Sequence, residues 1–384
     1  MRQALSRPDL ADIIGADVQS ARGSLAQART RPNPELSLER TSGDLPGRAG
    51  DDAKIVLSQQ FDLSGRRGLQ REAAELGVDA AQAQADADRE QIRIEVLTRY
   101  HTVVTDQRRR QGIEGWVDEL EQLGGTAGQR ADAGDLSGYA ARRIQQRGAF
   151  ARSRLESADV AVYAAREQLA SLVGMESADL RIDVDIDLLP VDSELARALA
   201  VPAADPPELQ ALSRRRAAAE AMERAAGRAP FPLRLGMGQQ RQYGPLGHDD
   251  ALVVEVSVPL PLFDRDQAGR LRAQAELMRA EGAHQRAGTE VQARLKIAQI
   301  EASRLVAQAR RLGGDLVPET HELASIARAS FMEGEIDLPD LLGAIDARIE
   351  ATEHMLDLEL RASMAWLELD ALTRHAHSIP EDHP

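Results

Sequence analysis

The sequence predicts a mainly helical protein with a small β part of the membrane type, built from one structural unit that occurs twice. Three observations support this fold class. A pair of alternating apolar–polar segments in the first half recurs in the second half, each pair leads into a long Ala-rich stretch, and only 3% of the residues are aromatic. Such a composition is typical of long helices rather than of a compact α/β domain. Repetition on this scale describes the architecture of the whole chain.

The two units have the same order of elements: a helix, a β-hairpin and a long helical hairpin. The first helix of each unit carries a proline in its first turn, Pro8 or Pro207, where the missing N–H costs nothing. The first unit is predicted at 8–174, with its β-hairpin at about 32–62 and its helical tip near 134. The second unit is predicted at 207–372, with its β-hairpin at about 231–262 and its helical tip near 334. A linker at 175–206 joins the two units, and a disordered tail is predicted at 373–384. Within the linker, the alternating run Ile182–Ile186 predicts one short strand.

The helical stretches carry the period of a coiled coil. After Leu69, small and apolar residues recur at alternating spacings of three and four, which is the heptad seam of a left-handed supercoil. Alanine is frequent in this seam, so neighbouring helices can approach closely. His101 falls on the same seam, and a lone histidine in that position is expected to be a packed residue rather than a ligand.

The predicted strands alternate in polarity. One face of the second strand in each hairpin carries Ile55 and Leu57, or Val254 and Val256, and the opposite face is mostly polar. A strand of about nine or ten residues spans a bilayer when it is tilted, and an apolar outer face with a polar inner face is typical of membrane barrels. Four strands cannot close a barrel, and open sheet edges are not tolerated in lipid. Three copies would supply the strands of a twelve-stranded barrel with a lumen.

Charge and composition exclude several classes of function. The net charge of −15 argues against nucleic acid as a partner, since phosphate binding needs a basic face. The chain has no cysteine, which excludes disulfides and thiolate metal sites. No nucleophile elbow, phosphate-binding loop or metalloprotease motif occurs, so the sequence predicts neither an enzyme nor a cofactor or metal site.

Three sequence motifs resemble those of a known family. The opening Arg31-Pro32-Asn33-Pro34, the run Ser58–Arg67 and the run Val258–Arg265 are similar to the strand-to-helix motifs of the TolC-type outer-membrane efflux proteins, above all their CzcC-like heavy-metal branch. The resemblance extends over nearly the whole chain, from Pro8 to Leu372. It implies a homotrimer with a twelve-stranded barrel in the outer membrane and a helical barrel that reaches into the periplasm.

The resemblance also implies a function and its partners. Such proteins are passive exit channels, supplied by an inner-membrane RND pump and contacted by a periplasmic adaptor protein. The two helical turns would form the periplasmic tip, where the adaptor binds and the channel closes. Adaptor-contacting residues are then expected at Gly134, Asp135, Leu136, Gly334, Glu335 and Ile336, and gate residues that line the pore at Asp340, Asp337 and Asp346. Without the family, the acidic residues near Asp340 would be helix-start carboxylates that interact with the helix dipole.

One alternative comes from a different class of protein. A soluble coiled-coil scaffold could use the hairpins merely to cap its helices. The two classes differ in the strands: a channel exposes Leu36, Leu235, Val254 and Val256 to lipid, whereas a scaffold must cover them. An adaptor-like periplasmic protein is a third option, but adaptors lack the duplicated unit. Residues 1–11 contain no apolar signal segment, and we expect an exported protein whose leading segment is absent from this sequence.

Overall fold

The computed structural model describes residues 7–45, 48–201, 205–244, 247–260 and 262–374. These residues form long helices and one antiparallel sheet. A short 3-10 turn at Ser177–Asp179 and a π-helical turn at Leu312–Leu316 complete the regular structure of this part of the chain. The elements are α1 (Pro8–Arg29), β1 (Glu35–Leu45), β2 (Arg48–Asp62), α2 (Arg66–Asp132), α3 (Gly138–Val173), α4 (Asp192–Ala200), α5 (Pro207–Gly227), β3 (Pro232–Gly244), β4 (Gly247–Ser257), α6 (Gln267–Arg311), α7 (Val317–Glu333) and α8 (Leu338–Thr373).

Corresponding elements in the two halves of the chain have matching lengths. Helix α2 has 67 residues, the same as α6, the π-helical turn and α7 taken together, which have 45, 5 and 17. Helices α3 and α8 have 36 residues each. The element order predicted from the repeat is therefore the order that the structure shows.

The chain folds into two compact units, and each takes segments from both halves of the sequence. One unit comprises Met1–Asp12, Asp88–Pro206 and Thr289–Pro384, and the other comprises Ile13–Ala87 and Pro207–Gly288. The sheet belongs to the second of these. Each repeat of the sequence is therefore divided between the two units.

The sheet has the order β1-β2-β3-β4, and all neighbouring strands are antiparallel. The two hairpins join through β2 and β3, for example where Ser58 pairs with Gly236. Strands β1 and β4 are the outer strands of this four-stranded sheet. The 15 residues of β2 and the 13 of β3 exceed the predicted strand length. Because strands alternate their side chains between two faces, this register assigns every strand residue to one face or the other.

One face of the sheet is apolar and exposed. Ten of its large apolar side chains are between 42% and 75% exposed. They are Leu36, Leu38, Ile55, Leu57, Phe61, Leu235, Met237, Leu252, Val254 and Val256. The opposite face is mostly polar. Its apolar residues include Val253 and Val56, and the side chain of Val56 is fully buried beside the glycines of β3. The predicted alternation is therefore present in the folded sheet.

The strand predicted at Ile182–Ile186 is wrong. These residues form no strand, because their backbone groups are satisfied by side chains of α2 instead of by a neighbouring strand. Arg108 donates from Nε to Val184 O at 2.7 Å and from Nη2 to Ile186 O at 2.5 Å. The same guanidinium contacts both carboxylate oxygens of Glu359 in α8 at 3.0 Å. The alternating polarity was therefore a local pattern with no strand partner.

The predicted tail begins too early. Thr373 is the last residue of α8 and is buried, with its hydroxyl donating to Leu369 O at 2.8 Å. The remainder of the tail, 375–384, lies outside the described residues. None of the helices that the structure describes combines the length and the apolarity that crossing a membrane requires.

Candidate functional site

Two tight turns connect the helices of the hairpins, at the positions that the sequence predicted. Gly134 follows α2 and Gly334 follows α7, with φ angles of 86° and 82° in the left-handed region that favours glycine. The N–H of Asp135 donates to Arg130 O at 2.8 Å, and that of Glu335 donates to Ser330 O at 2.8 Å. These are Schellman motifs, in which the glycine turn satisfies the last carbonyls of a helix.

Both turns are anchored by an apolar residue and followed at once by the next helix. Leu136 and Ile336 pack against one apolar cluster that includes Leu120, Ile144 and Phe331. The hydroxyl of Ser137 accepts from Ala140 N at 3.2 Å and caps α3. Asp337 is the equivalent residue before α8, but its side chain makes no such capping bond. The carboxylate of Asp337 is therefore not used to cap α8.

Cross-hairpin contacts hold the two turns at the same level. Arg130 Nη1 donates to Phe331 O at 3.3 Å, and its guanidinium lies 5.8 Å from the Phe331 ring centroid. Further along, Arg147 pairs with Asp346 at 2.6 Å and Arg154 pairs with Glu353. In each contact, the two residues are separated from the glycine of their own turn by nearly the same number of residues along the chain. The role of Arg130 was not predicted, since an arginine inside a helix gives no local signal of a long-range contact.

The predicted gate carboxylates fall into two groups. Asp337 and Asp340 are exposed, and neither forms an ion pair within the residues that the structure describes. Asp346 is half-buried and bound by Arg147. The exposed carboxylates Asp135 and Glu335 lie on the turns themselves. Of the three predicted gate carboxylates, Asp337 and Asp340 can therefore offer unneutralised charge to a cation or a partner, and Asp346 cannot.

A groove of about 350 Å³ lies between α7 and α8 beside this group. Two of its large apolar side chains, Leu323 and Ile326, are each 54% exposed. Asp340 is the charged residue among those that line it. The lining residues are Thr320, Leu323, Ile326, Ala327, Ser330, Ile336, Asp340, Ala344 and Ala347.

The polar face of the sheet is acidic. Over 35–42, 52–62, 232–243 and 248–257, the register assigns to this face six carboxylates against two cationic side chains. The two cations are paired, Arg234 with Glu35 at 2.8 Å and Lys54 with Glu255. The carboxylates are Glu35, Glu39, Asp52, Asp62, Asp249 and Glu255.

A buried polar group lies in the helical unit. His101 of the predicted seam is 9% exposed, and its Nδ1 atom has no hydrogen-bond partner in the part of the chain that the structure describes. Burial lowers the pKa of His101 to about 4. The described residues contain no group of three or more His, Asp or Glu side chains arranged to hold a metal ion. His101 is therefore a packed residue, as the sequence predicted.

Comparison with known proteins gives one curated relative and a set of solved structures. No established family profile matches the chain. The cobalt-zinc-cadmium resistance protein CzcC of Cupriavidus metallidurans is 26% identical over 333 residues, which are 85% of this chain and 78% of that protein. The outer-membrane protein VceC of Vibrio cholerae superposes with a TM-score of 0.80 at 17% identity, over 97% of this chain and 94% of that one. The outer-membrane channel OprN gives a TM-score of 0.79 at 19% identity, over 97% and 88%.

Proposed function

We propose that this chain, which has the fold of the TolC-type outer-membrane efflux channels, is the exit channel of a tripartite efflux system. The observation that carries the proposal is the sheet, which is apolar and exposed on one face and polar on the other. A four-stranded sheet of this kind has no stable place in water, because it exposes a large apolar surface and two open edges. In lipid, both problems disappear when copies close a barrel.

Heavy-metal cations are the proposed cargo. The curated relative is by its name a cobalt-zinc-cadmium resistance protein. The acidic face of the sheet would line the lumen of a closed barrel. Carboxylates that line a narrow path raise the local concentration of cations and repel anions. The excess of acid over base on this face therefore supports a cation pathway.

The proposed assembly is a homotrimer in outer-membrane lipid, with the helical part extending into the periplasm. Three copies of four strands would close the barrel at twelve strands, with β4 of one copy beside β1 of the next. The further partners are a periplasmic adaptor and an inner-membrane RND pump, since an open channel supplies no energy of its own. We assign the adaptor contact to the two turns, at Gly134, Asp135, Leu136, Gly334, Glu335 and Ile336.

The proposed periplasmic gate uses Asp340 and Asp337, since Asp346 is already neutralised by Arg147. Three carboxylates of Asp340 close to one axis would repel one another, and a bound cation would relieve this repulsion. Asp340→Ala should therefore alter single-channel conductance and weaken block by divalent cations in planar bilayers. Glu281→Ala, which removes an exposed carboxylate from α6, is the control and should leave both unchanged. Equal block by divalent cations in the natural protein, Asp340→Ala and Glu281→Ala would contradict a gate role for Asp340.

The soluble scaffold is the second candidate, and the exposed strand face argues against it. Leu36, Leu235, Val254 and Val256 are between 43% and 65% exposed. A scaffold would have to cover these side chains with other parts of the chain.

Reconstitution tests the proposed function directly. The protein should require detergent, have the mass of three chains by light scattering after correction for bound detergent, and form cation-selective pores in planar bilayers. A monomer that is soluble without detergent and forms no pores would contradict the channel and favour the scaffold.

A further inference from the structure

A cavity of about 540 Å³ lies within the compact unit that does not contain the sheet. Three parts of the chain line it: the middle of α2, the segment that leads from Asp187 into α4, and the end of α8. Among the described residues, neither those of the helical turns nor those of the strands line this cavity. The proposed channel function therefore gives it no role.

Part of the lining is apolar. Leu188 and Leu367 are buried, and Trp366 is partly buried. A ring that packs against an indole and leucine side chains removes its apolar surface from water and gains edge-to-face contact. A cavity of about 150 Å³ is enough to hold benzene. The larger cavity between α2, α4 and α8 therefore has room for an aromatic ring with polar substituents.

A buried imidazole also lines the cavity. Burial lowers the pKa of His101, so its ring is uncharged at neutral pH. Its Nδ1 atom is buried without a hydrogen-bond partner among the described residues, which leaves Nε2 as the ring nitrogen that a ligand can reach. Each nitrogen of a neutral imidazole is either a donor or an acceptor. A hydroxyl group can donate and accept, and it therefore fits Nε2 in either tautomer.

Half of the charged groups in the lining pair with one another. The lining contains three guanidinium groups and three carboxylates, so its formal charge is zero. Arg93 and Arg374 both pair with Asp370, the former at 3.3 Å. The carboxylate of Asp187 accepts from Leu189 N at 2.9 Å. A ligand with a large net charge would find no excess of opposite charge in this cavity.

Two charged groups of opposite sign remain on α4. Glu194 and Arg197 line the cavity, are exposed and lie one helical turn apart. Neither forms an ion pair within the residues that the structure describes. A carboxylate can accept from an ammonium group, and a guanidinium can donate to a carboxylate in a bidentate pair. One unpaired charge of each sign, in a lining without net charge, is complementary to a zwitterion.

We propose that this cavity binds the zwitterion of an aromatic amino acid that carries a ring hydroxyl. Arg197 binds its carboxylate, and Glu194 binds its ammonium group. Its ring packs against Trp366, and its hydroxyl forms a hydrogen bond with Nε2 of His101. The bound molecule contacts α2, α4 and α8 together. The inference does not depend on the proposed function, because a single chain supplies every contact.

Titration of the full-length, detergent-solubilised protein with L-tyrosine tests the site. The chain has two tryptophans, of which only Trp366 lines the cavity. Tryptophan emission, excited at the red edge of the band where tyrosine does not absorb, should change with saturation. The change should persist in Trp116→Phe and vanish in Trp366→Phe, while calorimetry reports the same affinity. Absence of binding, or binding heat without a change in Trp366 emission, would overturn the inference.

Three analogues of tyrosine test the individual contacts, because each lacks one group. Tyramine lacks the carboxylate, hydroxyphenylpropionate lacks the ammonium group, and L-phenylalanine lacks the hydroxyl. Loss of a charged group should weaken binding by about tenfold or more, and loss of the hydroxyl by about fivefold. Equal affinity for all four molecules would show a non-specific apolar cavity and would contradict the assigned contacts.

Variants assign each group to its residue. Arg197→Gln should no longer distinguish L-tyrosine from tyramine, and Glu194→Gln should no longer distinguish it from hydroxyphenylpropionate. His101→Leu should bind L-tyrosine and L-phenylalanine equally. Each result is a ratio of two affinities in one protein, so a general loss of stability does not imitate it. Arg361→Gln, which changes an exposed arginine of α8 outside the cavity, should keep all the ratios of the natural protein. Unchanged ratios in the three cavity variants would overturn the proposed binding mode.

Discussion

The side chain of His101 makes the stability of the helical unit depend on pH. Burial lowers the pKa of His101 to about 4, so the folded chain keeps the imidazole neutral under conditions where the unfolded chain binds a proton. Its contribution to stability is complete above about pH 6.5 and is lost as the pH falls toward 4, up to about 3 kcal/mol in total.

We therefore expect the melting temperature to fall between pH 6.5 and pH 4 more steeply in the natural protein than in His101→Leu. The leucine has no proton to bind and is compatible with the apolar seam. Circular dichroism melts at several pH values measure the difference. Parallel curves for the two proteins would show that other groups cause the pH dependence.

Asp266 shows how one residue can replace a glycine at a strained position. It precedes α6 with a φ of 61°, and Gly65 precedes α2 with a φ of 71°. The left-handed conformation costs a residue with a Cβ about 1–2 kcal/mol. The carboxylate of Asp266 pairs with Arg66 at the start of α2, a contact that glycine could not make. Where the first repeat has a glycine before its long helix, the second repeat therefore has Asp266. The backbone strain at Asp266 is accompanied by an ion pair between the starts of the two helices.

At the scale of the elements, two glycines of β3 allow β2 to lie against it. A Cβ on Gly238 would come within 1.9 Å of Ile55 O, and a Cβ on Gly236 within 2.9 Å of Val56 Cγ1. The atom that a Cβ on Gly238 would meet belongs to the backbone, whereas the atom that a Cβ on Gly236 would meet is a side-chain methyl group. The pairing of the two hairpins therefore depends on Gly238 more than on Gly236.

Gly238→Ala should separate β2 from β3 and prevent the proposed trimer from forming, whereas Gly236→Ala should cost about 1–3 kcal/mol as an overpacked site. The matched control is Gly282→Ala in α6, where a Cβ meets open space and should stabilise the helix by up to about 1 kcal/mol. Light scattering and thermal melts report the outcome. A Gly238→Ala protein that assembles and melts like the control would contradict this strand pairing.

At the scale of the whole molecule, the charge of the lumen in the proposed barrel should decide which ions pass. Neighbouring residues provide a matched test, since Asp249 lies on the polar face of β4 and Asp250 on the opposite face, where it pairs with Arg241 at 2.7 Å. Asp249→Asn should reduce the preference for cations and move the reversal potential in a salt gradient toward zero. Asp250→Asn should leave the potential unchanged. Equal shifts in both variants would show that the face assigned to the lumen does not control selectivity.

The sequence by itself determined the features that depend on neighbouring residues. Alternating polarity in β2 and β4, glycines at 134 and 334 and the order of elements in each half were all predicted, because strand period, left-handed turns and repeats are local properties. The face of each strand residue followed from the same alternation.

Only the tertiary structure decided what depends on distant partners. It showed that Ile182–Ile186 has no strand beside it, since Arg108 binds its carbonyls. It also separated Asp346, which is paired with Arg147, from Asp340, which forms no ion pair among the described residues. The two carboxylates look alike in the sequence, because their difference arises from an arginine in another helix. Strand partners and ion pairs are formed between residues far apart in the chain, and no local pattern encodes them.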